Sequence, residues 1–192
     1  MMSRYIDIHT HNFTSQHTEL RAEGIHPWDA EKGELHTETF AGAQAVGEIG
    51  LDFACEVSRT KQEEIFRAQL AIAQQMQLPV VVHCVRAFAA TLAILREYRL
   101  KGVIFHGFIG SREQMLEAVK RGYFISYGEG VLRSPKTAEA LRHTPLENLF
   151  LETDVSHRQI EEIYQIAATL RGEDLETIIN AISSNYNILF QQ

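Results

Sequence analysis

Short apolar runs alternate with helix-period segments along nearly the whole chain, and no other feature restricts the fold as much. Strands that alternate with helices pair in parallel, with the helices as crossovers. Seven runs read as strands: Tyr5–His9, Leu20–His26, Ala45–Leu51, Leu78–Cys84, Gly102–Phe108, Tyr123–Tyr127 and Leu149–Glu152. Most are brief, rich in β-branched or aromatic residues, and bounded by Gly, Pro or polar residues. Pro79–Val82 is almost continuously apolar, as a strand covered on both faces should be. Gln62–Gln77 sets Ile65, Phe66, Leu70 and Ala73 on one helical stripe. Ile160, Ile163, Tyr164 and Ala167 keep the same period, as do Leu175, Ile178, Ile179 and Ile182. Ser111-Arg112-Glu113-Gln114 reads as a capping box. An open doubly wound sheet and a βα barrel both satisfy this pattern.

Length and composition narrow the function. At 192 residues the chain reads as one domain over 1–192 with room for a sizeable core. With 45% hydrophobic and 22% charged residues it is not a disordered chain. The longest apolar stretch, Leu78–Val85, is interrupted by His83 and is too short to span a membrane. Met1-Met2-Ser3-Arg4-Tyr5 lacks the apolar core of a signal peptide. Two cysteines, Cys55 and Cys84, make no disulfide framework, so a cytoplasmic location is expected. The net charge of −7 argues against a basic-patch nucleic-acid binder. It leaves room for a nucleic-acid enzyme that takes its positive charge as bound metal. No membrane contact and no obligate protein partner are implied, and the oligomeric state stays open.

The reactive residues sit at the C-terminal ends of different strands, which favours the barrel, because all those ends converge on one face there. His9 and His11 are i and i+2, on one side of the first strand. Glu48, in Gly47-Glu48-Ile49-Gly50, stands on a buried strand, where a carboxylate must be paired with an arginine or bound to metal. Its flanking glycines leave room for close approach. His83 and His106 end two successive strands. Glu152 and Asp154 are i and i+2, so both face the site or both face away. Glu152 otherwise reads as a supporting or core-paired carboxylate, and Asp154 as a ligand, a general base, or both in turn. Arg86 is either a phosphate clamp or a surface charge. Four histidines and two carboxylates suit Zn, Mn, Fe or Ni better than Ca, and a bridged pair of ions would clamp a displacement at phosphorus.

The order of motifs then resembles the TatD family of metal-dependent DNases, within the amidohydrolase-like hydrolases. The matching residues are His9 and His11, Gly24 to Pro27, Glu48 to Asp52, His83 and Arg86, His106, Phe108 and Gly110, and Glu152 to Asp154. The resemblance implies a distorted TIM-like (β/α) barrel and hydrolysis of DNA phosphodiester bonds, often trimming from the 3′ end. It implies one or two divalent ions (Mg, Mn or Zn). His9, His11, Glu48 and Asp154 would hold one, and Glu48, His83 and His106 the other. Asp154 would also activate water, while Arg86 and His26 would serve the substrate. A C–N or ester hydrolase and a metal-binding relative with little activity are the alternatives. The chain is short beside the roughly 250 residues usual for such barrels. The missing stretch falls between His11 and Gly24, where a helix and the second strand are expected, so the barrel should lack about one strand there. Val155-Ser156-His157 also departs from the family's Ala/Ser-Pro after Glu-Thr-Asp.

Overall fold

The computed structural model describes residues 4–191, so Met1–Ser3, part of the segment read for a leader, lie outside the described residues. In chain order the elements are β1 (Ile6–Asp7), β2 (Thr18–Glu19), β3 (Ala22–Glu23), β4 (Ala45–Asp52), α1 (Arg59–Met76), β5 (Val80–Val85), α2 (Phe88–Leu95), β6 (Val103–Phe105), α3 (Arg112–Val119), β7 (Phe124–Tyr127), α4 (Pro135–His143), β8 (Leu149–Leu151), α5 (Ile160–Arg171) and α6 (Leu175–Phe190). No helix among the described residues is long and apolar enough to cross a membrane. Internal contacts divide the chain into two units, one covering Arg21–Phe105 and the other joining both chain ends.

In the Arg21–Phe105 unit, β3, β4, β5 and β6 pair in that order, all parallel. Val80, Val81 and Val82 have no exposed surface, as their unbroken apolar run requires. Helix α1 packs on β4. Its buried residues include Phe66, Leu70 and Ala73 from the expected stripe, and also Gln62 and Gln69. The spacing of β4 and β5 depends on glycine. A Cβ on Gly47 would lie 2.6 Å from the Val81 Cβ, and one on Gly50 would lie 2.0 Å from the His83 carbonyl oxygen. Gly50 also has a φ of +143°, which L side chains rarely adopt. Gly50→Ala should therefore destabilise the protein by about 1–3 kcal/mol. For a chain of this size that is a Tm lower by about 2–12 °C, read by thermal unfolding.

In the unit formed by the chain ends, β1 pairs with β2 and β7 with β8, both parallel. The chain beyond β1 runs beside the end of β8: Ile8 N–H donates to the Leu151 carbonyl at 3.1 Å, and Thr10 bridges to Asp154. Tyr164 on α5 anchors β1, its hydroxyl donating to the Ile6 carbonyl at 2.9 Å and accepting from the Ile6 N–H at 3.2 Å. The Ser111 capping box forms as expected, with Gln114 returning the bond.

Of the strand expected over Leu20–His26 only Ala22–Glu23 forms, and a further short strand, Thr18–Glu19, lies just ahead of it, so the described residues hold eight strands. Thr18–Glu19 pairs with β1 and Ala22–Glu23 with β4. Beyond Glu23 the backbone leaves the sheet because a side chain replaces the neighbouring strand. Gln69 accepts from the Ile25 N–H at 2.6 Å and donates to the Ile25 carbonyl at 3.1 Å. The second strand is thus present in part. Among the described residues no helix lies between β1 and β3.

Candidate metal centre

Each unit carries its own cluster of imidazoles and carboxylates. In the unit of the chain ends, His9 and His11 follow β1 and flank Thr10, whose backbone is fixed beside Asp154. Asp154 N–H donates to the His9 carbonyl at 2.9 Å, and His11 N–H donates to the Asp154 carbonyl at 3.1 Å. Those bonds hold Asp154 at a φ of +54°, in the left-handed region that aspartate tolerates better than most residues. Its Oδ1 lies 3.5 Å from His11 Nε2 and 3.8 Å from His9 Nε2. The His106 ring lies 4.3 Å from the His9 ring, centroid to centroid.

Behind His106 stands Glu152, which is wholly buried. Its Oε1 accepts from the Gly107 N–H at 2.6 Å and lies 3.4 Å from His106 Nδ1. Burial alone would raise the Glu152 pKa, but His106 and His9 hold it below the usual carboxylate range. Asp7 is the contrasting case. Burial pushes its carboxyl up to about 7, although it accepts from both the Thr153 hydroxyl and the Thr153 N–H.

In the Arg21–Phe105 unit, Glu48 on β4 faces His83 on β5. Glu48 Oε1 lies 2.6 Å from His83 Nδ1 and 3.1 Å from His26 Nε2. His26 Nδ1 accepts from the Trp28 N–H at 3.2 Å, so its Nε2 is the ring nitrogen left to serve Glu48. His83 Nε2 points to Asp52, 3.5 Å away. The Asp52 backbone is pinned on both sides by Gln62, which accepts from its N–H at 2.7 Å and donates to its carbonyl at 2.9 Å. Burial would raise the Asp52 carboxyl, but the Trp28 indole, the Ala54 N–H and His83 hold it below the usual range.

The donor sets fit a divalent cation. His9, His11 and Asp154 offer ligand atoms within 4.8 Å of one another, and so do His26, Glu48 and His83, and His106, Glu152 and Asp154. The separations of 3.5 and 3.8 Å at Asp154 are long for hydrogen bonds. Two donors each ~2.0–2.2 Å from one tetrahedral ion stand roughly 3.4 Å apart.

Most of the expected site residues therefore fall into these clusters. Arg86 does not: it is exposed, at the end of β5, with a φ of +52°. His17, His36 and His143, which carry no expected role, pair with Glu161, Glu34 and Glu139. Asp52 lies in the matched Glu48 to Asp52 motif but carries no expected role, and Gln62, Gln69 and Trp28 are unannounced by any motif. The two glutamines had a readable signal, since they share the helical face of Phe66, Leu70 and Ala73.

A family model described as TatD related DNase matches residues 8–191. The 3′-5′ ssDNA/RNA exonuclease TatD of Citrobacter koseri is 36% identical over 163 residues, covering 78% of this chain and 63% of that protein. The chain thus spans less than two thirds of that relative's length. The protein of the same name from Escherichia coli (strain K12) is 31% identical over 197 residues, covering 87% and 76%. The crystal structure of YJJV, a TatD homologue from Escherichia coli K12, superposes with a TM-score of 0.87 at 25% identity, over 100% of both chains. A TatD-family hydrolase structure from Entamoeba histolytica, 20% identical, gives a TM-score of 0.79 over 92% of this chain and 76% of the other. The fold class is accordingly the α/β, TIM-like class expected from the sequence.

Proposed function

Because the chain belongs to the TatD-related DNase family, we propose that it is a divalent-metal-dependent phosphodiesterase acting on DNA, and trimming it from the 3′ end. The observation that carries this reading is the pair of imidazole–carboxylate clusters: His9, His11 and Asp154 in one, His26, Glu48 and His83 in the other. Between them, one or two Mg, Mn or Zn ions would find nitrogen and oxygen donors already gathered, at most one ion to a cluster. The family match runs across both units, so the whole of 1–192 is read as one hydrolase domain. A cytoplasmic location accords with the free thiols of Cys55 and Cys84.

When bound, a divalent ion supplies Lewis-acid polarisation of a phosphoryl oxygen and a water acidic enough to ionise near neutral pH. The remaining work falls to the chain. Asp154, partly exposed and fixed by backbone bonds on both sides, is the acceptor for the proton of the attacking water. Glu152 orients His106 and locks the Gly107 backbone behind it. His26 steadies the Glu48 carboxylate through Nε2. Arg86 reaches into solvent from the end of β5, where its planar fork would meet a phosphate.

The test is cleavage of a 3′-labelled single-stranded oligonucleotide with added Mg²⁺ or Mn²⁺ and with EDTA. Label should be released with metal and not with EDTA. EDTA should also weaken oligonucleotide binding, because the chain itself carries a net charge of −7 and needs the ion to attract phosphates. A metal-loaded protein inert towards every phosphodiester would overturn the proposal.

A further inference from the structure

Trp28 is the chain's single tryptophan, and 59% of its surface is exposed. Tryptophan is ordinarily among the more buried residues, so this exposure forfeits a large hydrophobic gain. The ring is nevertheless held in place. Its Nε1–H donates to Asp52 Oδ2 at 2.7 Å, and Asp52 is itself buried and fixed by Gln62. The indole and the His26 ring meet nearly at right angles, with centroids 4.6 Å apart. The backbone beneath it is a 3-10 turn, Pro27–Asp29, started by the proline and capped by His26. The polar end of the indole is therefore spent inside the protein, and more than half of the residue's surface is left open to solvent. Its centroid lies 6.2 Å from that of His83, beside the Glu48–His83 pair.

We infer that Trp28 is a stacking platform for a nucleobase, holding the nucleotide whose phosphodiester lies at the Glu48–His83 cluster. The inference rests on the proposed action on nucleic acid. It adds which residue grips the substrate, and that the grip needs an unpaired base. A pre-set aromatic face loses little freedom on binding. Stacking also accepts every base, because each has a π-face, so the platform gives single-strand preference without sequence preference. A paired duplex end would keep its bases stacked on one another and could not lay one on Trp28.

Because the tryptophan is single, its emission reports the platform directly. Wild-type protein with Ca²⁺ should show saturable quenching by oligothymidylate and none by an abasic deoxyribose-phosphate oligomer of equal length. Trp28→Ala should raise KM for a single-stranded oligonucleotide about 5- to 150-fold, with kcat within a few-fold of wild type. It should lose little on an oligonucleotide whose 3′-terminal nucleotide is abasic. Trp28→Phe keeps a π-face but gives up the bond to Asp52, and should recover most of the KM. If Phe and Ala instead lower kcat alike with KM unchanged, Trp28 merely holds Asp52 and the inference is overturned. Cleavage without quenching overturns the platform and leaves the phosphodiesterase reading standing. Quenching without cleavage supports the platform and removes that reading, and neither signal removes both.

Discussion

Replacing Asp154 by asparagine should lower kcat for oligonucleotide cleavage by about 10²–10⁴-fold, the usual worth of a positioned general base. The substitution suits the question because it changes so little else. Asparagine, like aspartate, tolerates the left-handed backbone, so the φ of +54° is kept without new strain. The bonds that fix this segment, from the Asp154 N–H to His9 and from the His11 N–H to Asp154, are backbone to backbone and survive. The side chain is partly exposed, and asparagine keeps an Oδ1 facing His9 and His11. What disappears is one negative charge and one proton acceptor facing the Nε2 atoms of His9 and His11. Tm should move by no more than a few degrees. Asp154→Ala should lose as much activity and some stability besides, because alanine is strained at this φ. Turnover of the asparagine variant within a few-fold of wild type would rule out the base.

The contrast between Asp154 and Gln62 shows what a sequence can and cannot disclose about such a site. His9, His11, Glu48, His83, His106 and Asp154 were readable because two rules met in them. Each stands at or near the end of an apolar run, and each has a side chain that a buried strand has no structural use for. The strand–helix alternation behind that reading is local, and it came through in β4 to β8 and in α1, α5 and α6. What stayed hidden depends on partners far along the chain. Leu20–His26 has the composition of one strand, but the Gln69 side chain, 44 residues from Ile25, takes its last backbone bonds. Gln62 and Gln69 lie on the apolar face of α1, yet an amide there reads as surface until its partners are known. Their burial is tolerable because each pairs with a backbone residue, Asp52 and Ile25 respectively, at both its N–H and its carbonyl, and Gln62 donates to the Val57 carbonyl as well. Trp28 inverts the usual expectation for tryptophan, and nothing within the Gly24 to Pro27 motif announces it. Asp52 lies on β4, one residue beyond the expected strand end, and its role comes from the indole and from His83.

Glu152 tests whether the support behind a ligand matters as much as the ligand. Glu152→Gln keeps the shape and removes the charge. The Gly107 N–H can still be accepted by the amide oxygen, so Tm should fall only slightly. The His106 ring, however, loses the carboxylate that orients it and favours a proton on Nδ1, leaving Nε2 to bind metal. Titration with Mn²⁺ or Zn²⁺ should then show affinity reduced about 10- to 100-fold, the usual effect of removing a carboxylate behind a ligating histidine. Glu152→Ala should add a stability loss. The Gly107 N–H is orphaned at about 1–3 kcal/mol, and the space vacated by a wholly buried side chain costs a further amount of similar size. Together these, about 2–6 kcal/mol, should lower Tm by roughly 4–24 °C. The two variants separate the roles: metal affinity falls in both, while stability falls mainly in the alanine. If the glutamine variant binds both metals as tightly as wild type, Glu152 serves only to close the core around Gly107. The depressed Glu152 pKa would then reflect packing that happens to lie beside a metal centre, with His106 oriented by its own backbone.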